Sequence, residues 1–217
     1  MTDDIDALCA ALGLSPRPAH TQALMKYLDL LQHWNATYNL TAVRERAAML
    51  TQHLADCLTV VRSVERQVPQ GRVLDVGSGG GLPGVVLAIM LPELEVTCVD
   101  AVGKKAAFVR QVAGTLGLQN LRAAHARVET LRELPFQLIT SRAFASLADF
   151  THLSCALLAP GGCWVAMKGK RPEGEIAALP TGIEVFHVEP LAVPGLEAER
   201  CLVWMRPSSS QSDPAIG

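Results

Sequence analysis

DVGSGGGLPG, residues 75–84, decides how this chain is read. It closes the short apolar run RVLDV (72–76) and leads into a helical pattern over 83–91. Strand, glycine-rich turn and helix, in that order, present backbone N–H groups to a phosphate or a nucleoside. Beyond the turn, strand-length apolar runs recur at 95–99, 121–125, 136–140, 162–168, 183–188 and 200–205. Helical patterns fill the gaps at 104–116, 126–132, 146–158 and 173–179. Strands separated by helix-length segments predict βαβ units and a mainly parallel sheet. The last two runs leave no room for a full helix, which predicts an antiparallel, hairpin-like ending.

Upstream of residue 67 there is no strand pattern. Ile5, Leu8 and Leu12 recur at helical spacing until Gly13, Pro16 and Pro18 break the run. Leu24, Tyr27, Leu28, Leu31 and Trp34 predict an amphipathic helix over 19–34, and Met49, His53, Leu54, Cys57 and Val61 predict another over 45–64. Between them NATYNLTAVRE (35–45) reads as a polar, turn-like linker. The expected organisation is a helical extension over 1–66, an α/β domain over 67–206 and a mobile Ser/Pro-rich tail over 207–217.

Composition agrees with one packed domain carrying an appendage: 217 residues, 49% apolar, 18% charged and 5% aromatic. A disordered chain is excluded. The apolar stretch Val85–Leu91 is far below the roughly 18 residues that a membrane span needs. The amino terminus opens with acids where a secretory signal carries positive charge. Six scattered cysteines without a CxxC pair argue against a metal site or a disulfide framework and for buried thiols in a reducing cytoplasm.

Within the glycine turn, Gly79-x-Gly81-x-x-Gly84 satisfies the dinucleotide pattern, and Asp100 follows at the end of the second strand. An NAD-dependent oxidoreductase is therefore one reading. Asp75 speaks against it, because a carboxylate at the end of the first strand repels a pyrophosphate. A cationic ligand, such as a sulfonium carrying an amino group, welcomes the same carboxylate. Asp100 can accept both hydroxyls of a ribose, or merely cap the helix that starts near Gly103. Among S-adenosylmethionine enzymes, exocyclic-amine methylation usually brings an Asn/Asp-Pro-Pro-aromatic turn after the fourth strand, and here that place holds Ser141-Arg142-Ala143-Phe144. Carbon-5 pyrimidine methylation needs a thiolate, commonly in a Pro-Cys pair, and none occurs. A nucleophile with its own lone pair remains, of which guanine N7 is one.

Seven stretches carry a resemblance: NLTAVRE (39–45), the helix with His53 and Asp56, DVGSGGGLPG (75–84), DAVGKKAAFVRQV (100–112), ARVE (126–129), SRAFASL (141–147) and MKGK (167–170). In order and spacing, from about residue 20 to 206, the chain resembles the bacterial glucose-inhibited division protein B family. These are also called RsmG, the small-subunit ribosomal RNA guanine-N7 methyltransferases. The resemblance implies a class I S-adenosylmethionine-dependent methyltransferase fold, Rossmann-like with a seven-stranded, mainly parallel sheet and an N-terminal helical extension. It implies methyl transfer to N7 of a guanine in the decoding region of 16S rRNA, naked or in a small-subunit assembly intermediate. The expected protein is a cytoplasmic monomer that holds no metal. Carried over by motif, Gly77 and Leu82 contact the cofactor, Ser78, Gly79 and Gly81 shape the turn, and Val128 and Glu129 flank the adenine. Arg142 sits at the methyl-transfer end, where it binds the cofactor carboxylate or an RNA phosphate. Ser78 stands where the family often has threonine, and the tail beyond Arg206 has no counterpart.

For the RNA side, Lys168 and Lys170 follow the fifth strand, Lys104 and Lys105 open a helix at an end unfavourable for cations, and Arg44 and Arg46 lie in the polar linker. His53 carries a site role from the motif, against packing as a core histidine. Trp34 and Tyr38 could stack a base or simply pack. The whole-chain charge of −2, from 19 basic and 21 acidic residues, hides an asymmetry. Residues 104–171 hold ten Lys/Arg against three Asp/Glu, a net of +7, while 172–217 hold two against seven, a net of −5. A locally basic face suits one selective RNA site. A non-catalytic RNA-binding module is the remaining alternative, and the complete Asp75, Gly77, Gly79, Asp100 set argues for cofactor binding instead.

Overall fold

In a computed structural model, described here for residues 2–142, 144 and 146–208, the chain begins with two helices, α1 (Thr2–Ala11) and α2 (Pro18–Tyr38). A broken helical segment follows: α3 (Arg46–Met49), a π-helical turn over Leu50–Ala55, α4 (Asp56–Leu58) and α5 (Val61–Gln67). The α/β part alternates β1 (Gly71–Val76), α6 (Gly84–Met90), β2 (Leu94–Asp100), α7 (Gly103–Leu116), β3 (Leu121–His125), β4 (Phe136–Ser141), α8 (Leu147–Ser154) and β5 (Leu158–Lys168). It ends with α9 (Glu173–Ala177), β6 (Ile183–Leu191) and β7 (Arg200–Pro207).

The seven strands form one sheet in the order β3-β2-β1-β4-β5-β7-β6. The first five are parallel, and β7 runs antiparallel to both β5 and β6. The strand order reverses between β1 and β4, so the loops leaving their carboxyl ends part in opposite directions and open a crevice, the usual ligand position in an open α/β sheet. The glycine turn follows β1, and Arg142 follows β4. Ser141 Oγ donates to Val76 O at 2.8 Å and fixes the two strand ends against each other.

All seven residues of α6 are buried. It packs on β2 beneath α2, α4 and α5. A helix covered on every side needs no polar face, which is the reason that Val85–Leu91 is uninterruptedly apolar. The N-terminal helices thus roof the α/β part at the glycine turn: Tyr27 and Leu31 are buried on α2, and the Tyr27 hydroxyl donates to Gly80 O at 2.6 Å.

Several sequence expectations shift. The helix expected over 19–34 runs on to Tyr38, so Asn35–Tyr38 is helical and only 39–45 is linker. Asn35 explains the turn: buried, it donates from Nδ2 to Val43 O and accepts from Thr41 N, and so folds the following segment back. The helix expected over 45–64 is interrupted by the π turn. Over 126–132 there is only a 3-10 turn, Val128–Thr130, since Pro135 leaves little chain for a helix and Leu131 is buried instead. β5 begins at Leu158 rather than 162, across a register shift opposite Phe136–Leu138. Gly162 permits it, for a Cβ there would lie 2.9 Å from Ala159 O. Pro207 belongs to β7 and Ser208 N donates to Gly182 O, where the mobile tail was expected to begin; 209–217 lie outside the described residues. Five cysteines are buried, but Cys155 is exposed. No described helix is long and apolar enough to cross a membrane.

Candidate functional site

The turn after β1 is built by two carboxylates. Asp100, at the end of β2, accepts from Gly79 N at 2.9 Å through Oδ2 and from Val102 N at 2.8 Å through Oδ1. Lys105 Nζ stands 3.8 Å from Asp100, which eases the conflict of a lysine in the first turn of α7. Asp75 is 0% exposed, and its Oδ2 accepts from Gly84 N at 2.8 Å. Its Oδ1 is buried without a hydrogen-bond partner among the described residues. Burial pushes the Asp75 carboxyl up to about 7, against the pull of Gly84 N–H and Arg142.

The glycines of the turn divide into two kinds. Gly77 (φ 66°), Gly79 (φ 57°) and Gly81 (φ 82°) adopt the left-handed region that favours glycine, and they differ in what lies beside them. A Cβ at Gly77 would meet nothing within 4 Å, so this side of the turn is open. Gly80, Gly81 and Gly84 are packed from below: a Cβ would lie 2.9 Å from Leu31 Cδ1, 2.4 Å from Val85 Cγ2 and 2.4 Å from Cys98 Sγ respectively. Ser78 and Leu82 are buried, and Leu82 N bonds Ser78 O. The backbone amides of Leu82 and Gly84 are both bonded within the turn. The open, left-handed Gly77 and the unpartnered buried oxygen of Asp75 together fit a nucleoside ligand that carries a cationic group.

Val128 is buried at the start of the 3-10 turn after β3, and Glu129 beside it keeps its side chain 42% exposed. Ala126 N bonds Asp100 O, which brings this segment alongside Asp100.

Next to the crevice lies a cleft of about 350 Å³ lined by His53, Asp56, Arg142, Lys168 and Arg200 among others. Three parts of the fold meet there: the π turn with α4, the ends of β4 and β5, and the start of β7. Asp56, 4% exposed, stands 3.5 Å from Arg142 Nη1 and 3.2 Å from Arg200 Nε. Burial pushes its carboxyl up, and the two guanidiniums oppose that shift. Arg142 Nη1 also donates to Gln52 O at 3.3 Å and lies 3.3 Å from His53 Nδ1.

His53 is buried, its pKa lowered to about 4 by burial first and by Arg142 second. Its Nδ1 is 3.0 Å from Gln52 O and its Nε2 is 2.6 Å from Thr41 Oγ1. A neutral ring that donates from Nδ1 and accepts the Thr41 O–H satisfies both contacts and leaves Thr41 Oγ1 to accept from Val43 N. The NLTAVRE segment is thereby latched to the cleft wall. π turns often occur at functional sites, and this one carries Gln52 and His53 directly before Asp56.

The cations expected on the RNA side do not all face solvent. Lys168 is held by Glu175 at 2.8 Å and by Phe144 O at 3.4 Å, and Glu175 also accepts from Leu147 N, so this pair clamps the chain after β4. Arg46 pairs with Asp29 at 2.6 Å and braces α3 on α2. Lys104 and Lys170 are exposed, and so is Arg44, whose Nη2 reaches Asn39 Oδ1 at 3.4 Å. Arg110 and Arg122 lie away from the crevice, the latter beside Glu93 and Glu95 at the opposite end of the sheet. The basic stretch over 104–171 is thus only partly one face. Trp34 packs between Phe108 (5.5 Å) and Tyr38 (5.0 Å), and Tyr38 is 42% exposed. Among the described residues no cluster of His, Cys, Asp and Glu could hold a metal ion.

Sequence reading assigned no role to Tyr27, Thr41, Gln52, Asp56 or Arg200. Asp56 had a signal, an acid three residues after His53 flanked by the apolar Leu54, Ala55, Cys57 and Leu58. Arg200 had none.

A family model described as rRNA small subunit methyltransferase G, GidB, matches residues 20–203. The ribosomal RNA small subunit methyltransferase G of Acidovorax sp. (strain JS42) is 58% identical over 207 residues, 91% of each chain. That of Leptothrix cholodnii is 56% identical over 217 residues, 98% of this chain and all of the other. Among solved structures, a Burkholderia thailandensis 1,6-didemethyltoxoflavin-N1-methyltransferase with bound S-adenosylhomocysteine superposes with a TM-score of 0.58 at 15% identity, covering 85% of this chain and 90% of that one. This last likeness is one of fold.

Proposed function

The chain belongs to the GidB family of rRNA small subunit methyltransferases, and from that premise we propose that it methylates N7 of a guanine in the decoding region of 16S rRNA with S-adenosylmethionine. When bound, S-adenosylmethionine supplies a methyl group already activated on a sulfonium. The chain's own work is binding and alignment. The buried Asp75 carboxylate lends negative potential beneath the turn to a cationic group, and the open face of Gly77 leaves room for the ligand. Asp100 keeps lone pairs beyond its two amide bonds for ribose hydroxyls, and Val128 and Glu129 flank the adenine. Guanine N7 carries its own lone pair, so no side chain has to deprotonate it; orientation and exclusion of water carry the rate.

The arginine-lined cleft receives the RNA, with Arg142 at the transfer end and His53 as a neutral hydrogen-bonding wall. Lys104, Lys170 and Arg44 are the exposed cations offered to the phosphate backbone, while Lys168 holds the segment after β4. We assign residues 1–66 as the helical extension that builds the cleft wall, 67–206 as the methyltransferase domain, and a cytoplasmic monomer as the working form. The 16S rRNA is taken either naked or in an assembling small subunit.

The observation that supports this most is the unpartnered Asp75 Oδ1 beneath an open turn, because a dinucleotide pyrophosphate would be repelled there. Incubating the protein with radiolabelled S-adenosylmethionine and small subunits from a strain lacking the family enzyme, then digesting the RNA for mass analysis, tests it. Label in 7-methylguanosine of 16S rRNA is the expected result. Label in another nucleoside, or stabilisation by NADH alone, overturns it.

A further inference from the structure

Arg142 and Arg200 come from strands that do not pair. Arg142 follows β4, Arg200 opens β7, and β5 lies between. The sheet spaces their strands, but nothing in it holds the two flexible guanidiniums together, and their like charges repel. One buried carboxylate connects them: Asp56 Oδ2 stands 3.5 Å from Arg142 Nη1 and Asp56 Oδ1 stands 3.2 Å from Arg200 Nε. Asp56 comes from a third place, the end of the π turn in the N-terminal helices. The inner nitrogens are secured from behind as well, Arg142 Nη1 by Gln52 O and Arg200 Nη1 by Glu199 O at 2.8 Å. Nη2 of each arginine bonds no described residue. Both side chains are about a quarter exposed, at 24% and 26%.

We propose that Asp56 is a positioning residue for the RNA substrate: it yokes Arg142 and Arg200 into a pair whose remaining N–H groups face the cleft together. This rests on the reading of the cleft as the RNA side. A paired fork of donors fits the anionic oxygens of a phosphodiester or the acceptor edge of a base far better than two independently moving charges. Asp56 itself stays behind the arginines and touches no substrate.

The proposal makes a prediction opposite in sign to simple electrostatics. Asp56→Asn removes a negative charge from a cleft that binds a polyanion. If the arginines act only as separate charges, binding strengthens. If Asp56 yokes them, kcat/KM for unmodified 16S rRNA in small subunits falls tenfold or more, with the affinity for S-adenosylhomocysteine within twofold of the parent. Asp56→Glu restores part of the loss. A double-mutant cycle guards against a folding defect: Asp56→Asn and Arg200→Lys, which act on one pair, cost together little more than the worse one alone. Unchanged or faster turnover of Asp56→Asn, or additive losses in the cycle, overturns the yoke. An inactive parent protein overturns the methyltransferase reading on which it rests, a distinct outcome.

Discussion

Gly77 and Gly84 sit seven positions apart in one motif, yet the structure gives them opposite duties. Gly77 has φ 66° and open space where a Cβ would go. Gly77→Ala therefore costs only the left-handed strain, roughly 1–2 kcal/mol. In a chain of this size each kcal/mol lowers Tm by about 2–4 °C, so the variant stays folded and melts about 2–8 °C lower. Its methyl group, however, enters the space offered to the cofactor. The affinity for S-adenosylhomocysteine should fall tenfold or more, about 1.4 kcal/mol.

At Gly84 a Cβ would lie 2.4 Å from Cys98 Sγ and 2.9 Å from Asp75 Oδ2, both fully enclosed. Overpacking costs about 1–3 kcal/mol, and losing the charged hydrogen bond to Asp75 about 1.5–3 more. Helix propensity returns about 1 kcal/mol. The net of about 1.5–5 kcal/mol corresponds to a Tm lowered by roughly 3–20 °C. Cys98→Ala in the same chain should recover part of it by removing the nearest clash. Thermal melts of the three variants, with and without S-adenosylhomocysteine, check both halves. Full ligand-induced stabilisation of Gly77→Ala, or a Gly84→Ala melt equal to the parent's, refutes this division of the turn.

Removing the Tyr27 hydroxyl leaves Gly80 O unpaired under the turn, so Tyr27→Phe should lower stability by roughly 1–3 kcal/mol; a melt within 1 °C of the parent would contradict the brace. Asp75 is raised from 3.8 to about 7, so its share of stability is present below pH 4 and is lost as pH rises through 7. A cation binding beside it then releases a proton near pH 6 and none near pH 8, visible by calorimetry in buffers of different ionisation enthalpy; a heat at pH 6 that does not vary with the buffer refutes it. His53 behaves oppositely: lowered from 6.5 to about 4, it contributes stability above pH 6.5 that is lost as pH falls through 4. An NMR titration of its ring that centres near 6.5 would show that it is neither buried nor beside Arg142.

Much of this was legible from local pattern. Apolar runs of strand length and the glycine turn predict the parallel sheet, since both depend on neighbours in sequence. The places of Asp75 and Asp100 beneath the glycine turn follow from their position at strand ends. Local pattern failed where long-range packing overrode it. The segment 126–132 has helical spacing but no partner face and too little chain before Pro135. The helix over 45–64 contains a π turn that a uniform period of 3.6 does not reveal. Lys168 reads as a free cation in MKGK, and only the approach of Glu175 from α9 shows that it is occupied.

Sequence alone determined the fold class, the family and the cofactor turn, because each is written in residues close together along the chain and repeats a spacing set by backbone geometry. Tertiary structure decided which glycines of the turn are open and which are packed against the core, for that depends on Leu31, Val85 and Cys98 arriving from other elements. It also decided that the N-terminal helices line the cleft beside the strand ends. Asp56, Arg142 and Arg200 are separated by 86 and 58 positions in the chain, and their meeting is a property of the sheet order and of the helical roof. No periodicity spans such distances.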